Sequence, residues 1–582
     1  MTSRTDMPQF LPTTREELAV WGWSALDVIL VTGDTYIDTS HIGVAVIGRV
    51  LLAAGYRVGL IAQPDIHSAR DIGRLGEPRL FWGVTGGSVD SMIANFTPSG
   101  KRRRTDDMTP GGQNDRRPDR AVIAYSQLIQ RHFKNTKPIV LGGIEASLRR
   151  ISHYDAWSDR VRRSILFDAK ADYLLYGMAD QTVVALADAL AQGKEVRAIR
   201  GLCYISPTIP EPDLYFSQPN VLLPSHEEVR QDAAAFSQMF ALFYTHSQTS
   251  SDQRLCQRQD TRFLVHNPPA PPPSQEALDA IYELPYARAV HPYYQSLRRV
   301  AAMETIPFAL TTHRGCFGQC RFCAITVHQG RQVISRSQAS LLREAAAISR
   351  HPDFKGIISD VGGPTANMYG MDCTRPGCHK KGCVFPKTCR QLNLDHGPQI
   401  ELLRALRGLP GIRKVFVASG LRYDLILADR RNGLAYLEEL LRHHTSGQLK
   451  IAPEHIHDPL LQLMGKPDRQ TLEDFIDLFD QVNARMPKKQ FLTYYFMAAH
   501  PGCTLQDMAE LREFARRRLR VIPEQVQIFT PSPATFSTLM YHIGIDPFTG
   551  QAIFVEKSLR GKIDQKKMLA KPPSKSRAAP TR

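Results

Sequence analysis

The stretch Thr312–Ala324, THRGCFGQCRFCA, decides how the rest of the chain is read. It places Cys316, Cys320 and Cys323 on one short loop with the spacing C-x3-C-x2-C. Thiolates are soft ligands that select iron–sulfur clusters or zinc. Three of them can hold three irons of a cubane cluster and leave the fourth iron open to a small molecule, as a catalytic rather than a structural centre requires. Structural zinc and three unrelated buried thiols are the alternatives, but zinc sites usually read C-x2-C with a distant second pair. The apolar run PFALTT, residues 307–312, feeds the loop as a buried strand would.

Downstream, the same strand-then-loop pattern repeats. KGIISDVGG, RKVFVASG, GQLKIAPEH, QFLTYYFMA and EQVQIFTPSP are strand candidates, separated by amphipathic stretches such as SLLREAAAISR and TLEDFIDLFDQVNARM. With PFALTT they make six strand–helix units. In barrels built this way the active site lies at the C-terminal ends of the strands. The motifs fall there: Gly362 and Gly363 in DVGGPT, Ser419 and Arg422 in SGLRYD, Lys450, Glu454 and His455 in KIAPEH, Pro501 and Gly502 in HPG. Turns at strand ends also favour Gly, Pro and Ser, so the signal lies in their joint placement. An insertion, MDCTRPGCHKKGCVFPKTC, carries Cys373, Cys378, Cys383 and Cys389 with the spacing C-x4-C-x4-C-x5-C. Four cysteines so close together suit a second iron–sulfur cluster or a structural zinc, or a group of redox thiols.

Upstream, DVILVTGDTYID, HIGVAVIGRVLLAAGY and RVGLIAQP read as strand, helix and strand of a parallel sheet. Further strands in PRLFWGVTGG, PIVLGGIEAS and ADYLLYGMAD extend it into a doubly wound α/β domain over residues 1–200. Gly86, Gly87, Gly142 and Gly143 sit at strand ends, where such sheets bind ligands and where tight turns also want glycine. Residues 99–120, SGKRRRTDDMTPGGQNDRRPDR, read as a mobile, solvated loop. Residues 201–300 form a connecting region with a stiff proline cluster, residues 301–545 the catalytic domain with its Cys-rich insertion at 372–390, and residues 546–582 a basic, disordered tail.

A chain of 582 residues is too long for one core, and its 43% hydrophobic and 22% charged content is ordinary for a globular protein. No apolar run reaches the length of a membrane helix, and the start lacks a signal-peptide core, so a cytoplasmic location without membrane contact is expected. Of ten cysteines, seven lie between Cys316 and Cys389, which argues for metal in a reducing compartment rather than disulfides. The net charge of +16 favours polyanions, with RNA the obvious candidate, although nine Lys/Arg of the excess lie beyond residue 556.

On these motifs the chain resembles the radical S-adenosylmethionine (SAM) superfamily, and within it the YgiQ-type family, whose members have no settled reaction. The resemblance implies a partial six-stranded α/β barrel preceded by a cobalamin-binding-like domain. It implies a 4Fe-4S cluster on Cys316, Cys320 and Cys323, with SAM on the open iron, cleaved reductively to a 5′-deoxyadenosyl radical. Gly362 and Gly363 resemble the glycine motif that binds the SAM methionine amino group, though Pro364 replaces the usual acidic residue. Ser419 and Arg422 would take the ribose and carboxylate, and Phe322 joins them as a cofactor-binding residue. A reductase or other electron donor is implied as partner. Cobalt-binding domains commonly use D-x-H-x-x-G; here Asp38, His41 and Gly43 do not keep that spacing, which argues against cobalamin. The rival readings are methylthiotransferase-like modification of RNA or protein using a second cluster, and a non-catalytic iron–sulfur or zinc RNA-binding protein.

Overall fold

A computed structural model describes residues 7–247, 251–373 and 382–569. The first half is organised on a nine-stranded sheet. Its parallel part consists of Val58–Ala62, Val28–Thr32, Phe81–Thr85, Ile139–Gly142 and Tyr173–Leu175, side by side in that order. In chain order this is 2-1-3-4-5, the flavodoxin-like winding, with the direction of winding changing between Val28–Thr32 and Phe81–Thr85. The strands are apolar on both faces because helices cover both. Gly43–Ala53 buries Val44, Ala45, Leu51 and Leu52, and Asp180–Ala191 buries Val183, Leu186 and Ala187 in the same core. Ala121–His132 buries Val122, Tyr125 and Ile129 on the opposite face.

The sheet does not stop near residue 200. Leu202–Ser206 joins antiparallel to Tyr173–Leu175, and Arg262–His266, Leu255–Gln259 and Val221–Leu223 follow outward. Four strands of the expected connecting region therefore belong to the sheet. Its polar strand is tolerated because Gln257 and Gln259, both fully buried, accept hydrogen bonds from the Ser152 and Ser164 backbone N–H groups (3.0 Å each).

The segment at 99–120 is not a loosely solvated loop either. Arg117 is fully buried, 2.6 Å from Asp34 and 3.0 Å from Asp106, and the Gly111 N–H donates to the Arg299 carbonyl at 2.8 Å. Asp34, just beyond the first strand, and the backbone bond to Arg299 thus tie the segment down, with Asp106 pairing inside it.

All six expected strands of the second half are present, as Ala309–Thr311, Asp360–Gly362 (preceded by Ile357–Ile358), Lys414–Val415, Gln448–Glu454, Phe491–Ala498 and Gln525–Ile528. Each neighbours the next in parallel register, the third and fourth joined by one bridge, Leu421↔Ile451. They form an open, six-stranded partial barrel. Alternate residues of the long strands, such as Leu449, Ile451, Tyr494, Phe496 and Val526, face the surrounding helices and build one continuous core.

Part of the tail expected to be disordered from residue 546 is helical. Leu559–Leu569 is a helix whose Leu569 enters the barrel core. The Gln565 amide, almost fully buried, accepts from the Ala499 N–H (2.8 Å) and donates to the Cys503 carbonyl (2.9 Å). Residues 570–582 lie outside the described residues. Among the described residues no helix is long and apolar enough to cross a membrane.

The interior holds several histidines. Burial pushes His313 and His455 down to about 4 and His500 to about 3. The folded chain keeps them neutral while the unfolded chain protonates them below its ordinary value of about 6.5, so the unfolded state binds more protons. Stability is therefore full above pH ~6.5 and falls as pH drops toward 4, each histidine removing about 1.4 kcal/mol per pH unit. Urea midpoints should fall steeply between pH ~6.5 and ~4. A flat profile would contradict the burial of these rings.

Candidate active site

The cysteine loop leaves the first barrel strand through His313–Arg314, which pairs antiparallel with Ile334–Ser335. Gly315 then takes a φ of +78°, and a Cβ there would strike the Gln332 carbonyl, so only glycine fits before Cys316. The Cys316 sulfur accepts from the Gly318 N–H at 3.3 Å and meets the Thr365 hydroxyl at 3.4 Å. Arg422 donates to the Cys320 sulfur at 3.6 Å. Burial raises the Cys323 thiol to about 12, with the neighbouring Cys320 and Cys316 adding to the effect, and burial also raises Cys316. Three mutually interacting thiols in one partly buried loop fit a cluster, whose positive irons would convert them to thiolates. Among the described residues no group of His, Cys, Asp or Glu stands ready to hold a single metal ion. In a cubane each thiolate binds its own iron, so its sulfurs need not converge on one point.

The other strand ends gather around this loop. Gly362 lies on the second strand, paired with Thr311 of the first. Gly363 lies against the His313 ring, which a Cβ would approach to 2.6 Å. Gly363→Ala must therefore displace either the glycine turn or the histidine, at a cost of about 1–3 kcal/mol. Urea unfolding should show this loss of stability for the variant, and adding His313→Ala in the same chain should recover part of it. Equal stability of wild type and Gly363→Ala would remove the close approach from the account.

Ser419 is held by Asp360, whose carboxylate accepts from the Ser419 hydroxyl and from the N–H groups of Ala418 (2.7 Å) and Ser419 (3.2 Å). Arg422 forms a forked pair with Asp424, at 2.9 Å from Nε and 2.5 Å from Nη2, as well as reaching Cys320. Burial opposes its charge, but Asp424 and the thiols outweigh that and hold the guanidinium above its ordinary value. The two acidic partners, Asp360 and Asp424, were not picked out from the sequence. Each stands within the motif already noted, DVGGPT and SGLRYD, but a carboxylate there carries no signal of its own in the sequence.

Glu454 ends the fourth strand with a φ of +68°, at a break in the register with Phe491–Ala498. A buried non-glycine residue in that conformation carries strain of the kind that collects at functional sites. Lys466 lies 3.6 Å from its carboxylate and 6.0 Å from the centre of the Phe322 ring. Burial raises the Glu454 carboxyl against the pull of Lys466. Phe322 in turn lines a cavity of about 220 Å³ with Met497, Gln527, Ile528 and Phe529 of the barrel, and Ile93, Phe96 and Arg103 of the N-terminal domain. A second, solvent-open cavity of about 500 Å³ includes Lys450, Gln448 and Ala418.

The insertion is partly defined. Cys373 lies on Asp372–Cys373, paired with Leu392–Asn393, and the Cys389 N–H donates to the Cys383 carbonyl at 2.8 Å. Cys383 and Cys389 pack against the apolar cluster that contains Cys316, Phe317 and Leu392. Cys378 lies outside the described residues. The glycines of the N-terminal sheet serve close packing: a Cβ at Gly33 would strike the Gly86 carbonyl, one at Gly86 the Glu145 carboxylate, and one at Gly87 the Asp34 carboxylate. His41 lies at the domain junction beside Glu344, Arg288 and Arg336.

Comparison with known proteins agrees with this architecture. The radical SAM N-terminal family matches residues 10–309, and the radical SAM superfamily matches residues 310–515. A UPF0313 protein of Fusobacterium nucleatum is 50% identical over 563 residues, covering 96% of this chain and 98% of the relative. One from Thermotoga maritima is 46% identical over 558 residues, covering 95% and 96%. Among solved structures, the radical SAM methyltransferase TsrM from Kitasatospora setae, with cobalamin and a [4Fe-4S] cluster bound, aligns with a TM-score of 0.49 at 14% identity, over 89% of this chain and 74% of that one. The cobalamin-dependent radical enzyme OxsB, with aqua-cobalamin bound, aligns at 0.48 and 13%, over 91% and 57%. The structural likenesses are too distant to transfer ligands, but the family matches span nearly the whole chain: it is a radical SAM enzyme of the UPF0313 family.

Proposed function

We propose that this enzyme binds a 4Fe-4S cluster through Cys316, Cys320 and Cys323 and uses it to cleave SAM reductively. When bound, the cluster supplies one electron, received from an external reductase, that splits SAM into methionine and a 5′-deoxyadenosyl radical, and that radical abstracts hydrogen from the substrate. The observation that carries the reading is the convergence of the three-thiol loop with Gly363, Arg422 and Glu454 at one end of the barrel. In this reading the glycine turn at 362–363 brings backbone against the SAM methionine group. Arg422, pre-oriented by Asp424, directs its remaining hydrogen-bonding capacity toward the cluster and the SAM carboxylate. The Glu454–Lys466 pair borders the ribose, and the cavity beside Phe322 takes the adenine or substrate.

The test is anaerobic. Protein reconstituted with iron and sulfide, then given dithionite and SAM, should form 5′-deoxyadenosine. A chain that retains its cluster but neither binds nor cleaves SAM would refute the reading.

A second reading concerns the insertion. Cys383 and Cys389 share an apolar cluster with Cys316, which supports a second iron–sulfur or zinc site close to the first, as methylthiotransferase-like modification of RNA or protein would use. Metal analysis of the reconstituted chain would show more than four irons, or zinc, and the excess would go with Cys383→Ser and Cys389→Ser.

A further inference from the structure

We infer that the ligand-binding edge of the N-terminal sheet is a seat for the cysteine-loop segment 313–331, and that Asp180 and Ser147 position that segment. This rests on the cluster reading above for its catalytic meaning, but not for its geometry.

Doubly wound sheets bind cofactors beyond the carboxyl ends of their strands, at the point where the winding changes direction. Here that point is filled by the chain itself. Gly33 and Gly86 touch, and Arg117 lies across them, donating to the Gly33 carbonyl at 3.0 Å and pairing with Asp34 and Asp106. The Gln63 amide donates to the same carbonyl at 3.0 Å. A buried guanidinium held between the carboxylates of Asp34 and Asp106 occupies the crevice that a corrin tail or a nucleotide phosphate would need, so the residues present do not fit a cofactor there.

The rest of the same edge holds protein. Beyond Tyr173–Leu175, Asp180 begins its helix and receives Arg314 at 2.5 and 3.4 Å, both side chains buried. Arg314 also donates to the Tyr282 hydroxyl at 3.2 Å. Beyond Ile139–Gly142, the Ser147 hydroxyl accepts from the Gly177 N–H at 3.1 Å and bonds the His328 ring at 3.0 Å. Arg331 stacks 3.5 Å over the centre of the Tyr244 ring. Within the segment, the Cys316 N–H donates to the Gly330 carbonyl (3.3 Å) and the Gly315 N–H to the Gln329 side chain (3.2 Å). Arg314 and His328 therefore flank the cysteine loop and are both fixed from the N-terminal domain. A domain of a cofactor-binding shape would here act as the second wall of the cluster site.

Hydrogen exchange on the full chain, with and without reconstituted metal, tests this. Asp180→Asn leaves Arg314 buried without a charged partner, and Ser147→Ala removes the His328 anchor. Both should raise exchange in peptides covering 313–331 about tenfold, with the barrel strands unchanged. In reconstituted protein both should speed chelator-driven loss of cluster absorbance roughly 10- to 100-fold, with Asp180→Glu recovering part of the loss. Hydroxocobalamin titrated into wild type should show no saturable binding. Unchanged exchange in 313–331 for both variants, or stoichiometric cobalamin binding, would overturn the inference. If Asp180→Asn does not fold, Ser147→Ala, which removes a single hydroxyl, carries the same expectation. If wild type takes up no cluster, the functional reading fails, while exchange in the metal-free chain still decides whether the seat exists.

Discussion

A chain in which Cys316, Cys320 or Cys323 is alanine is expected to lose cluster iron and at least about a hundredfold of its SAM cleavage, a barrier change of ~2.7 kcal/mol. The three thiols share one loop and interact with one another, and no other cysteine of the described residues lies in that loop. Losing one leaves an iron without its protein ligand in a buried site, where water is a poor substitute. The contrast is with Cys203 and Cys256. Both are buried in the N-terminal sheet, and burial raises both thiols to about 12. Their alanine variants should keep wild-type iron and activity, apart from the stability cost of a small core cavity. Iron content and 5′-deoxyadenosine yield, measured on the same preparations, decide the matter. Full iron content in the loop variants would mean that the cluster is held elsewhere.

The second large effect lies far from the loop. Arg117→Ala should cost about 3–5 kcal/mol of stability, because it leaves Asp34 and Asp106 buried and uncompensated at the centre of the N-terminal domain. Around it, the Gly33 carbonyl loses a donor and the contact between Gly33 and Gly86 loses its cover. A triple variant that also carries Asp34→Asn and Asp106→Asn should recover part of the loss, since the penalty is one of unpaired charge. Urea unfolding followed by tryptophan fluorescence would report it, because Trp82 is buried in the adjoining strand Phe81–Thr85. A loss below about 1 kcal/mol would return the segment at 99–120 to the solvated loop that its composition suggests.

That segment shows where the chain's chemistry was legible and where it was not. The six barrel strands announced themselves because their apolar runs end in glycine, proline and charged motifs, and each motif stands at a strand end in the structure. The five parallel strands of the first domain were equally plain. The sheet's continuation was hidden because LCQRQDTRFLVH carries polar residues whose burial is made acceptable by Ser152 and Ser164, about a hundred positions away, and by the Pro224 carbonyl. Arg117 looked like one of many surface cations because its partner Asp34 is equally remote in sequence. The last helix was hidden in a basic tail, where Gln565 satisfies backbone groups of Ala499 and Cys503. In the site, Phe322, Gly363, Arg422 and the loop cysteines were readable as types at positions. What could not be read was that Asp424 preempts part of Arg422, that Asp360 ties down Ser419, and that Lys466 reaches across to Glu454.

The most direct measurement of the central claim is electron paramagnetic resonance of the dithionite-reduced, reconstituted enzyme, with and without SAM. An open iron held by three cysteines predicts a reduced 4Fe-4S signal whose g values move when SAM is added, and its absence from the chain with Cys316, Cys320 and Cys323 all changed to alanine. A signal indifferent to SAM, or one that survives the loss of those three cysteines, would contradict the account.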